Sequence, residues 1–492
     1  MKAAPFSVLF ITLFVSLTLK AQTVHYIAHE WGTFTGLSGS DGTPLNGLYI
    51  EEEHLPTFVH NIGGNFPEIA YNFGKGLPSD VALAHVTIKM ETPVIYFYSQ
   101  NPFTADVKVQ FTHGLIGQWY PDDSTGVSSI YYNSFGPVLD FGNKQSPLSN
   151  NIEWSAKVLP LSADPGLVTK TGETNTWTAP RATDANLVQY KSETEKFLFY
   201  RGIGNFDVPV NVSFDKQANL VIKNNYTSTI PYFFVYDKEE SGAVKVWFSG
   251  AITSGASKTV SPASASLSAA DFNAKLSEFQ AALTSAGLYN KESAAMLNTW
   301  QTSYFGKTGL RVFWIVPRKF TDNILPITIN PAPDSLNRVL IGRSEILTPQ
   351  FEKQLWNNYQ SDTTLSIYAG DRFFEAYKDR MAYLKANPAA VQLIDEQVAA
   401  AGIEQGIQYE GKIVLYPNPA RTNMYMAIQN ADNGNLSVSL IDMEGRNLIN
   451  CQDVVSNNFY QKSLDISGLS NGVYFIRVQT GTQNYVAKMV KE

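Results

Sequence analysis

The chain has 492 residues, of which 44% are hydrophobic, 13% aromatic and 16% charged. This balance is typical of a packed globular protein and argues against a disordered chain. The net charge of −7 is spread along the sequence without a basic stripe to neutralise phosphates, so we expect no nucleic acid partner.

The N-terminal segment has the residue order of a secretory signal peptide. Lys2 precedes an apolar run over residues 5–19, and the small residue Ala21 is followed by Gln22. The run is shorter than the about 20 apolar residues that span a bilayer. We therefore predict a signal peptide over residues 1–21, cleaved between Ala21 and Gln22 and read by the Sec export machinery. A retained membrane anchor is the alternative.

Residues 22–260 have the pattern of short β-strands. Stretches rich in β-branched and aromatic residues are bounded by Pro, Gly and Asn, which favours strands joined by turns. These stretches are 93–98, 106–111, 196–200, 220–224, 232–236 and 244–248. We predict an all-β body unit that resembles a β-sandwich.

Every histidine of the chain lies in this first unit. The six are His25, His29, His54, His60, His85 and His113. Histidine is the usual metal ligand and exchanges protons near neutral pH, and acidic side chains stand nearby. This grouping predicts a site for a divalent metal ion or for acid–base chemistry, with His29, Glu30 and Glu91 as candidate catalytic residues. The alternative is a chance grouping of solvated histidines.

The sequence around His29 also sets limits on such a site. A zincin helix is excluded, because Thr33 stands where the second histidine of that motif would be. Along a strand, successive side chains point to opposite faces. His29 and Glu30 are therefore expected to face different neighbours.

For several other residues that could bind a ligand, a purely structural role is the alternative. Four tryptophans in Gly, Pro or polar surroundings could stack on flat sugar faces, although a packing role is favoured for each: Trp31, Trp119, Trp154 and Trp177. Glu91 and Glu153 could pair for glycoside cleavage if they came within about 5–10 Å. Asp41 and Gly42 favour a plain turn over a calcium loop.

Residues 261–400 mix helical and strand patterns after a Ser/Ala-rich joint. Helices are predicted from Ser268-Asp271 onward and over 292–300, 348–359 and 372–385, with a buried strand over 309–316. The last helix should end before Pro388. Arg338, Arg343 and Glu345 could clamp an acidic ligand, but a structural ion pair is favoured. Residues 401–411 are predicted to be a linker.

Residues 412–492 alternate apolar and polar side chains between turns, which predicts a small antiparallel β-sandwich. The opening motif is Leu415-Tyr416-Pro417-Asn418-Pro419. The closing motif runs over 472–478, with Gly472 and Tyr474, and is followed by Lys488. The chain's only cysteine, Cys451, lies between the two motifs and excludes an intrachain disulfide.

These two motifs resemble those of the type A C-terminal sorting domain of the type IX secretion system of Bacteroidota. The resemblance implies recognition by the type IX translocon at the outer membrane. It also implies cleavage by a sortase that attaches the cargo to surface lipopolysaccharide. The protein is then expected to be secreted, or attached to the outer face of the outer membrane. The stretches that start at His29 and at Gly309 resemble secreted bacterial proteins of unassigned activity.

The sequence thus predicts a mainly β protein with a mixed α/β part and a C-terminal sorting module. Two hypotheses remain for the body. One is a binding or structural surface protein, with a glycan as one possible ligand. The other is a secreted hydrolase, with a metal ion as one option, whose site lies in the His-rich N-terminal region.

Overall fold

The computed structural model describes most of the chain. The described residues are 24–52, 55–62, 82–123, 138–171, 175–239, 243–261, 269–361, 363, 365, 368, 371–401, 413–429, 433–442, 446–456, 459–480 and 484–491. The predicted signal peptide, its cleavage point at Ala21-Gln22, His54 and the predicted linker apart from Ala401 lie outside these residues.

The body consists of strands, with helices concentrated in its second half. Its strands are β1 (Tyr26–Ser38), β2 (His60–Asn61), β3 (Ala82–Ala84), β4 (Ile88–Ser99), β5 (Phe103–Phe111), β6 (Gly114–Tyr120), β7 (Val138–Asp140), β8 (Asn150–Val158), β9 (Val188–Tyr190), β10 (Glu193–Glu195), β11 (Leu198–Gly204), β12 (Val210–Phe214), β13 (Leu220–Asn224), β14 (Ile230–Lys238), β15 (Val244–Ile252), β16 (Ser257–Val260), β17 (Gly309–Ile315), β18 (Ile327–Asn330) and β19 (Ser335–Ile346). Its helices are α1 (Asn175–Thr178), α2 (Ala269–Ser285), α3 (Asn290–Thr299), α4 (Arg318–Ile324), α5 (Pro349–Ser361), α6 (Phe374–Ala386) and α7 (Pro388–Ala400). The predicted class, mainly β with a mixed α/β part, is confirmed.

The largest sheet, which we call the central sheet, joins both parts of the body. Within the described ranges it has nine strands, in the order β15-β14-β17-β19-β1-β4-β11-β6-β2. β1 and β19 pair in parallel, from Ile27 opposite Ser335 to Ser38 opposite Ile346. A second sheet has the order β10-β9-β8-β5-β18. Since β17, β18 and β19 follow residue 260, the predicted division at that residue does not divide the hydrophobic core.

The two faces of the central sheet are covered by different elements. Along β4, Ile95 and Phe97 face a core shared with the second sheet and with α5–α7. Val94 and Tyr96 face the other core, which is shared with α2 and α3. This alternation is the period-two pattern of a strand buried on both sides. Burial of one such large apolar side chain contributes about 1.5–3 kcal/mol.

Three helices, α1, α4 and α7, are absent from the sequence-based prediction. The predicted end before Pro388 is correct, because α6 ends at Ala386. The chain then enters α7 directly, with Pro388 at the first helical position. Proline suits that position because its missing N–H would have no partner in the first turn. Among the described residues, no helix is long and apolar enough to cross a membrane.

The C-terminal module has its own core. Its strands are β20 (Ile413–Tyr416), β21 (Asn423–Gln429), β22 (Gly434–Ile441), β23 (Asn447–Val455), β24 (Phe459–Asp465), β25 (Gly472–Gln479) and β26 (Asn484–Lys491). They form antiparallel sheets of order β20-β21-β24 and β23-β22-β25-β26. Buried apolar side chains such as Met424, Val438 and Ile476 lie in one cluster of this module.

Candidate binding site

His29, the first predicted catalytic residue, is fully buried on β1. Its Nδ1 lies 2.7 Å from Oε2 of Glu292, and the side-chain amide of Asn337 donates to its Nε2 over 2.8 Å. Because Nε2 accepts, Nδ1 carries the proton and donates to the carboxylate. Both ring nitrogens are occupied, so His29 serves to join β1 to α3.

The carboxylate beside His29 also fixes the start of α3. Glu292 accepts the backbone N–H of Tyr289 over 2.7 Å and the hydroxyl of Tyr98 over 2.8 Å. The first contact satisfies an N–H group at the helix start. Burial and the nearby Glu292 raise the pKa of Tyr98, so its hydroxyl stays a donor. Both ring nitrogens of His29 and both carboxylate oxygens of Glu292 therefore have hydrogen-bond partners in this buried network.

Glu30 lies on the opposite face of β1, as the strand alternation predicts. It forms a buried ion pair with Nε of Arg338, and the hydroxyl of Tyr200 donates to its Oε1. Nη1 of Arg338 lies 2.8 Å from Oδ1 of Asp322. Burial, followed by the charge of Glu30, raises the pKa of Tyr200 well above its ordinary value. Arg338 is thus part of a structural ion pair, the interpretation that the sequence favours.

Glu91, the third candidate, lies among other charged side chains. Its Oε2 is 4.0 Å from Nη1 of Arg201. The register between β1 and β4 pairs Glu91 with Thr33, four residues beyond His29 on β1. The structure therefore brings His29, Glu30 and Glu91 into three different sets of contacts and not into one site.

The remaining described histidines are also dispersed. Each has its own partner: His25 with Asp334, His60 with Glu193, His85 with Asp140 and His113 with Thr112. In the part of the chain that the structure describes, no three His, Cys, Asp or Glu side chains are grouped so that they could hold a metal ion. The sequence-predicted mixed site is therefore not assembled by these residues.

The tryptophans considered for sugar binding are core residues. At most 2% of their surface is exposed, and they are Trp31, Trp119, Trp154 and Trp177. A stacking platform for a sugar must be exposed, so none of these rings presents one. Glu153 pairs with Lys108 over 2.6 Å on the second sheet, whereas Glu91 belongs to the central sheet. The proposed pair of glycoside-cleaving carboxylates is thus placed on two different sheets.

The Asp41-Gly42 segment is a turn. Oδ1 of Asp41 accepts the backbone N–H of Thr43 over 2.9 Å, and its Oδ2 lies 3.1 Å from Nη2 of Arg380. Gly42 has a φ of +81°, a conformation that glycine adopts at little cost. The carboxylate is committed to these contacts, which agrees with the turn that the sequence favours.

The α2–α3 face of the central sheet ends in a group of buried charges. Alternation along β4, β17 and β19 points charged residues to this face, while their apolar neighbours, such as Met90 and Val312, enter the opposite core. We call this group the charged cluster, and its side chains are at most 12% exposed. Its members are Glu51, Glu52, Lys89, Glu91, Arg201, Arg311, Arg343, Glu345 and Arg372.

Glu52 is held by three cations. Nζ of Lys89 lies 3.1 Å from its Oε1, while Nη2 of Arg343 and Nη1 of Arg372 lie 3.1 and 3.3 Å from its Oε2. Burial alone would raise the pKa of Glu52, but the surrounding cations, Arg343 foremost, hold it well below its ordinary value. The negative charge of Glu52 is therefore compensated by buried cations of the protein itself.

Glu345 is the second anionic centre of the charged cluster. Its Oε1 is 3.1 Å from Nε of Arg311 and accepts Nε–H of Arg343 over 2.8 Å, while its Oε2 is 3.3 Å from Nη2 of Arg372. Burial opposes ionisation, but these arginines, Arg311 first, lower the pKa of Glu345 to about 2. Arg343 and Arg372 are thus shared between Glu345 and Glu52.

A third part of the charged cluster lies on β11. Nη2 of Arg201 is 2.8 Å from Oε1 of Glu51, and the side-chain amide of Gln118 donates to the same oxygen over 3.0 Å. The other side of Arg201 faces Glu91. Removing one partner of such a buried pair leaves an uncompensated charge and typically costs about 3–5 kcal/mol.

Part of the charged cluster has a sequence signal and part does not. Lys89 stands between Ile88 and Met90, and Arg311 stands between Leu310 and Val312. A single charge inside an apolar strand predicts a buried, paired ion. The partner cannot be read in this way, because Glu52, which pairs with both Lys89 and Arg372, lies 37 positions before the first and 320 positions before the second.

The opening motif of the C-terminal module contacts β26, the strand that pairs with the closing motif. The side-chain amide of Asn418 donates to the backbone carbonyl of Lys488 over 2.8 Å, and its oxygen accepts the N–H of Val490 over 2.8 Å. In the closing motif, Gly472 pairs with Lys491 across β25 and β26. The hydroxyl of Tyr474 donates to the carbonyl of Ser470 over 2.7 Å. Pro417 and Pro419 flank Asn418 in the segment between β20 and β21.

One region of the chain matches a known protein family. Residues 414–492 match the family described as the secretion system C-terminal sorting domain. No curated protein sequence is significantly similar to the chain.

Similarity to solved structures is too weak to carry an argument. Dimeric latent PorU from Porphyromonas gingivalis is 8% identical, with 85% of this chain and 33% of that chain covered and a TM-score of 0.15. MHC-like MILL2 is 8% identical, with coverages of 52% and 97% and a TM-score of 0.13. A tetra-tandem repeat of a large adhesion protein is 10% identical, with coverages of 94% and 99% and a TM-score of 0.14. The chain spans a third of the length of the PorU chain.

The sequence motifs, their contacts and the family match agree on the C-terminal module. The resemblance to the type IX sorting domain is thereby confirmed for residues 414–492. This region is a secretion system C-terminal sorting domain, and it indicates that the chain is a cargo of type IX secretion.

Proposed function

We propose that the chain is exported through the Sec and type IX systems and acts outside the cell as a binding or structural protein. The observation that carries this proposal is the sorting domain at residues 414–492. We further propose that the signal peptide is removed after Ala21. A sortase then removes the sorting domain and attaches the body to lipopolysaccharide on the outer face of the outer membrane.

The contacts within the body favour a binding or structural role over hydrolysis. Both ring nitrogens of His29 are engaged, and Glu30 is held by Arg338 and Tyr200. Glu91 lies apart from both. A hydrolase needs its acid, base or metal ligands within contact distance of one reacting group. The described residues offer no such assembly from the three candidates, so we do not propose the hydrolase.

We also propose a glycan as the ligand of the body. The four tryptophans considered for stacking are buried, so none of them offers a stacking surface. Binding of a sugar would have to use other side chains than these. A direct test is retention of the purified protein on immobilised surface polysaccharide, with release but no turnover of the glycan expected for a binder.

Deletion of residues 413–492 tests the export part in a host with a type IX system. The full chain is expected on the cell surface or in the medium, and the shortened chain in the periplasm. Cys451→Ser in the full chain is the matched control, since it changes the module by one atom. Limited proteolysis of the shortened chain checks that its body is folded. Surface delivery of a folded, shortened chain at the level of the full chain would contradict the proposal.

A further inference from the structure

Two buried polar atoms of the central sheet stand out beside the charged cluster. Nη1 of Arg343 and Oγ1 of Thr35 have no hydrogen-bond partner among the described residues. Both residues have none of their surface exposed. A buried donor without an acceptor is costly, by about 1–3 kcal/mol and by more for a charged group. We therefore expect each of these two atoms to have a hydrogen-bond partner.

The two atoms belong to neighbouring positions on the same face. Thr35 on β1 pairs in register with Arg343 on β19 and with Lys89 on β4. Adjacent strands lie about 4.8 Å apart, so the hydroxyl stands between two cationic side chains. The guanidinium of Arg343 also stacks on the ring of Tyr304, with 4.0 Å between its Cζ atom and the ring centroid. This stacking fixes the plane of the guanidinium.

The charges of the cluster do not balance. Its cations are Lys89, Arg201, Arg311, Arg343 and Arg372, and its carboxylates are Glu51, Glu52, Glu91 and Glu345. These described, buried side chains carry five positive and four negative formal charges. A surplus buried cation is unfavourable unless an anion accompanies it.

We propose that the charged cluster binds one small oxyanion, a carboxylate or a phosphate, between Arg343 and Thr35. Nη1 of Arg343 supplies a charge-assisted donor, the hydroxyl of Thr35 a neutral one, and Lys89 adds positive charge. A guanidinium with a hydroxyl beside it suits the two oxygens of an oxyanion.

The ligand must be small, because the side chains of the cluster are at most 12% exposed. A free anion meets this condition, whereas a polymer does not. The segment from Ile50 to Glu52 reaches the surface here, since its residues are partly exposed although the side chains of Glu51 and Glu52 are buried. The inference deepens the proposal that the body is a binding protein. Its failure would leave the export test untouched, since binding is measured on purified protein and export in cells.

The experiment measures the unfolding temperature of the purified full chain while formate or phosphate replaces chloride at constant ionic strength. We expect a rise of about 2 °C or more for the better anion, because a ligand of the native state stabilises it. The anion that acts at the lower concentration tells a carboxylate ligand from a phosphate ligand. No rise over chloride for either anion would overturn the proposal.

Thr35→Val separates site binding from general salt effects. It is expected to lower the rise at least twofold, whereas Thr35→Ser, which keeps the hydroxyl, retains it. Thr321→Val is the matched control, since Thr321 on α4 also carries a buried hydroxyl without a partner among the described residues. Phosphate excluded from the protein surface stabilises every variant alike. An equal rise in Thr35→Val and Thr321→Val would therefore overturn the proposal.

Discussion

Asn418 and Lys488 are joined by a hydrogen bond of 2.8 Å from the asparagine side chain to the lysine carbonyl, across 70 positions of sequence. Asn418 belongs to the opening motif of the sorting domain and Lys488 to its last strand. The same side chain accepts the N–H of Val490 over 2.8 Å. One asparagine side chain thus joins the start of the module to its last strand.

Asn418→Ala is expected to loosen the last strand of the module. It removes both hydrogen bonds and leaves main-chain groups of β26 without their side-chain partner, at a cost of about 1–3 kcal/mol. Hydrogen exchange of the Val490 amide in the full chain should become about tenfold faster or more. Asn450→Ala, at an exposed position of β23, is the control. Equal exchange in the two variants would show that Asn418 does not hold this strand.

Glu345→Gln is expected to lower the free energy of unfolding by about 3–5 kcal/mol, because it removes the buried counter-ion of Arg311 and leaves Arg343 and Arg372 with Glu52 alone. Urea unfolding of the full chain measures the loss. Glu153→Gln is the matched control, since its partner Lys108 is half exposed and such pairs contribute about 0–1 kcal/mol. Losses of similar size in both variants would contradict a special role for the charged cluster.

The stability of the body should fall in acid in a way that depends on Glu345. Its pKa is lowered to about 2 from an ordinary value of 4.5, and the pKa of Glu52 is also lowered. In the range between these values the unfolded chain binds protons that the folded chain does not. The stabilisation of the folded body by ionised Glu345 is therefore complete above about pH 4.5 and is lost as the pH falls toward about 2.

The comparison between the wild type and Glu345→Gln isolates this contribution. Between pH 4.5 and 2, the free energy of unfolding of the wild type should fall more steeply, by up to about 1.4 kcal/mol per pH unit. Urea unfolding at a series of pH values gives both curves. Parallel curves would mean that Glu345 has the same proton affinity in the folded and unfolded chains.

Tyr98→Phe tests the network around His29. The change removes the hydroxyl that donates to Glu292 and should cost about 1.5–3 kcal/mol, since the acceptor is a buried carboxylate. Chemical unfolding of the full chain measures this cost. Tyr383→Phe, at a position that is 37% exposed on α6, should change the stability by less than about 0.5 kcal/mol. A loss no larger than that of the control would remove Tyr98 from the network.

Local patterns predicted the elements, and distant pairing decided how they assemble. The stretch 93–98 lies in β4 and the stretch 309–316 contains β17, because period-two alternation and β-branched residues are local signals. The parallel pairing of β1 with β19 joins positions about 300 residues apart, as in Glu30 opposite Arg338. No local pattern specifies that register, so the core shared across residue 260 could not be read from the sequence.

The candidate site shows the same contrast between local patterns, which the sequence reveals, and distant pairing, which it does not. Alternation correctly predicts that His29 and Glu30 face different neighbours, but the nearness of histidines in sequence predicts a common site that the described residues do not form. The partner of His29 is Glu292, on a helix 263 positions later. The absence of α7 from the prediction has a local cause, because a proline both ends a preceding helix and suits the first position of a new one, and Pro388 does both.

Residues 412–492 are expected to act as an export address that works independently of the body. The most direct measurement attaches this module to the C-terminus of an unrelated periplasmic reporter with its own signal peptide, in a host with a type IX system. Fractionation and surface labelling should find the fused reporter outside the cell and the reporter alone in the periplasm. A folded fusion that stays in the periplasm as completely as the unfused reporter would show that these residues are not an independent export address.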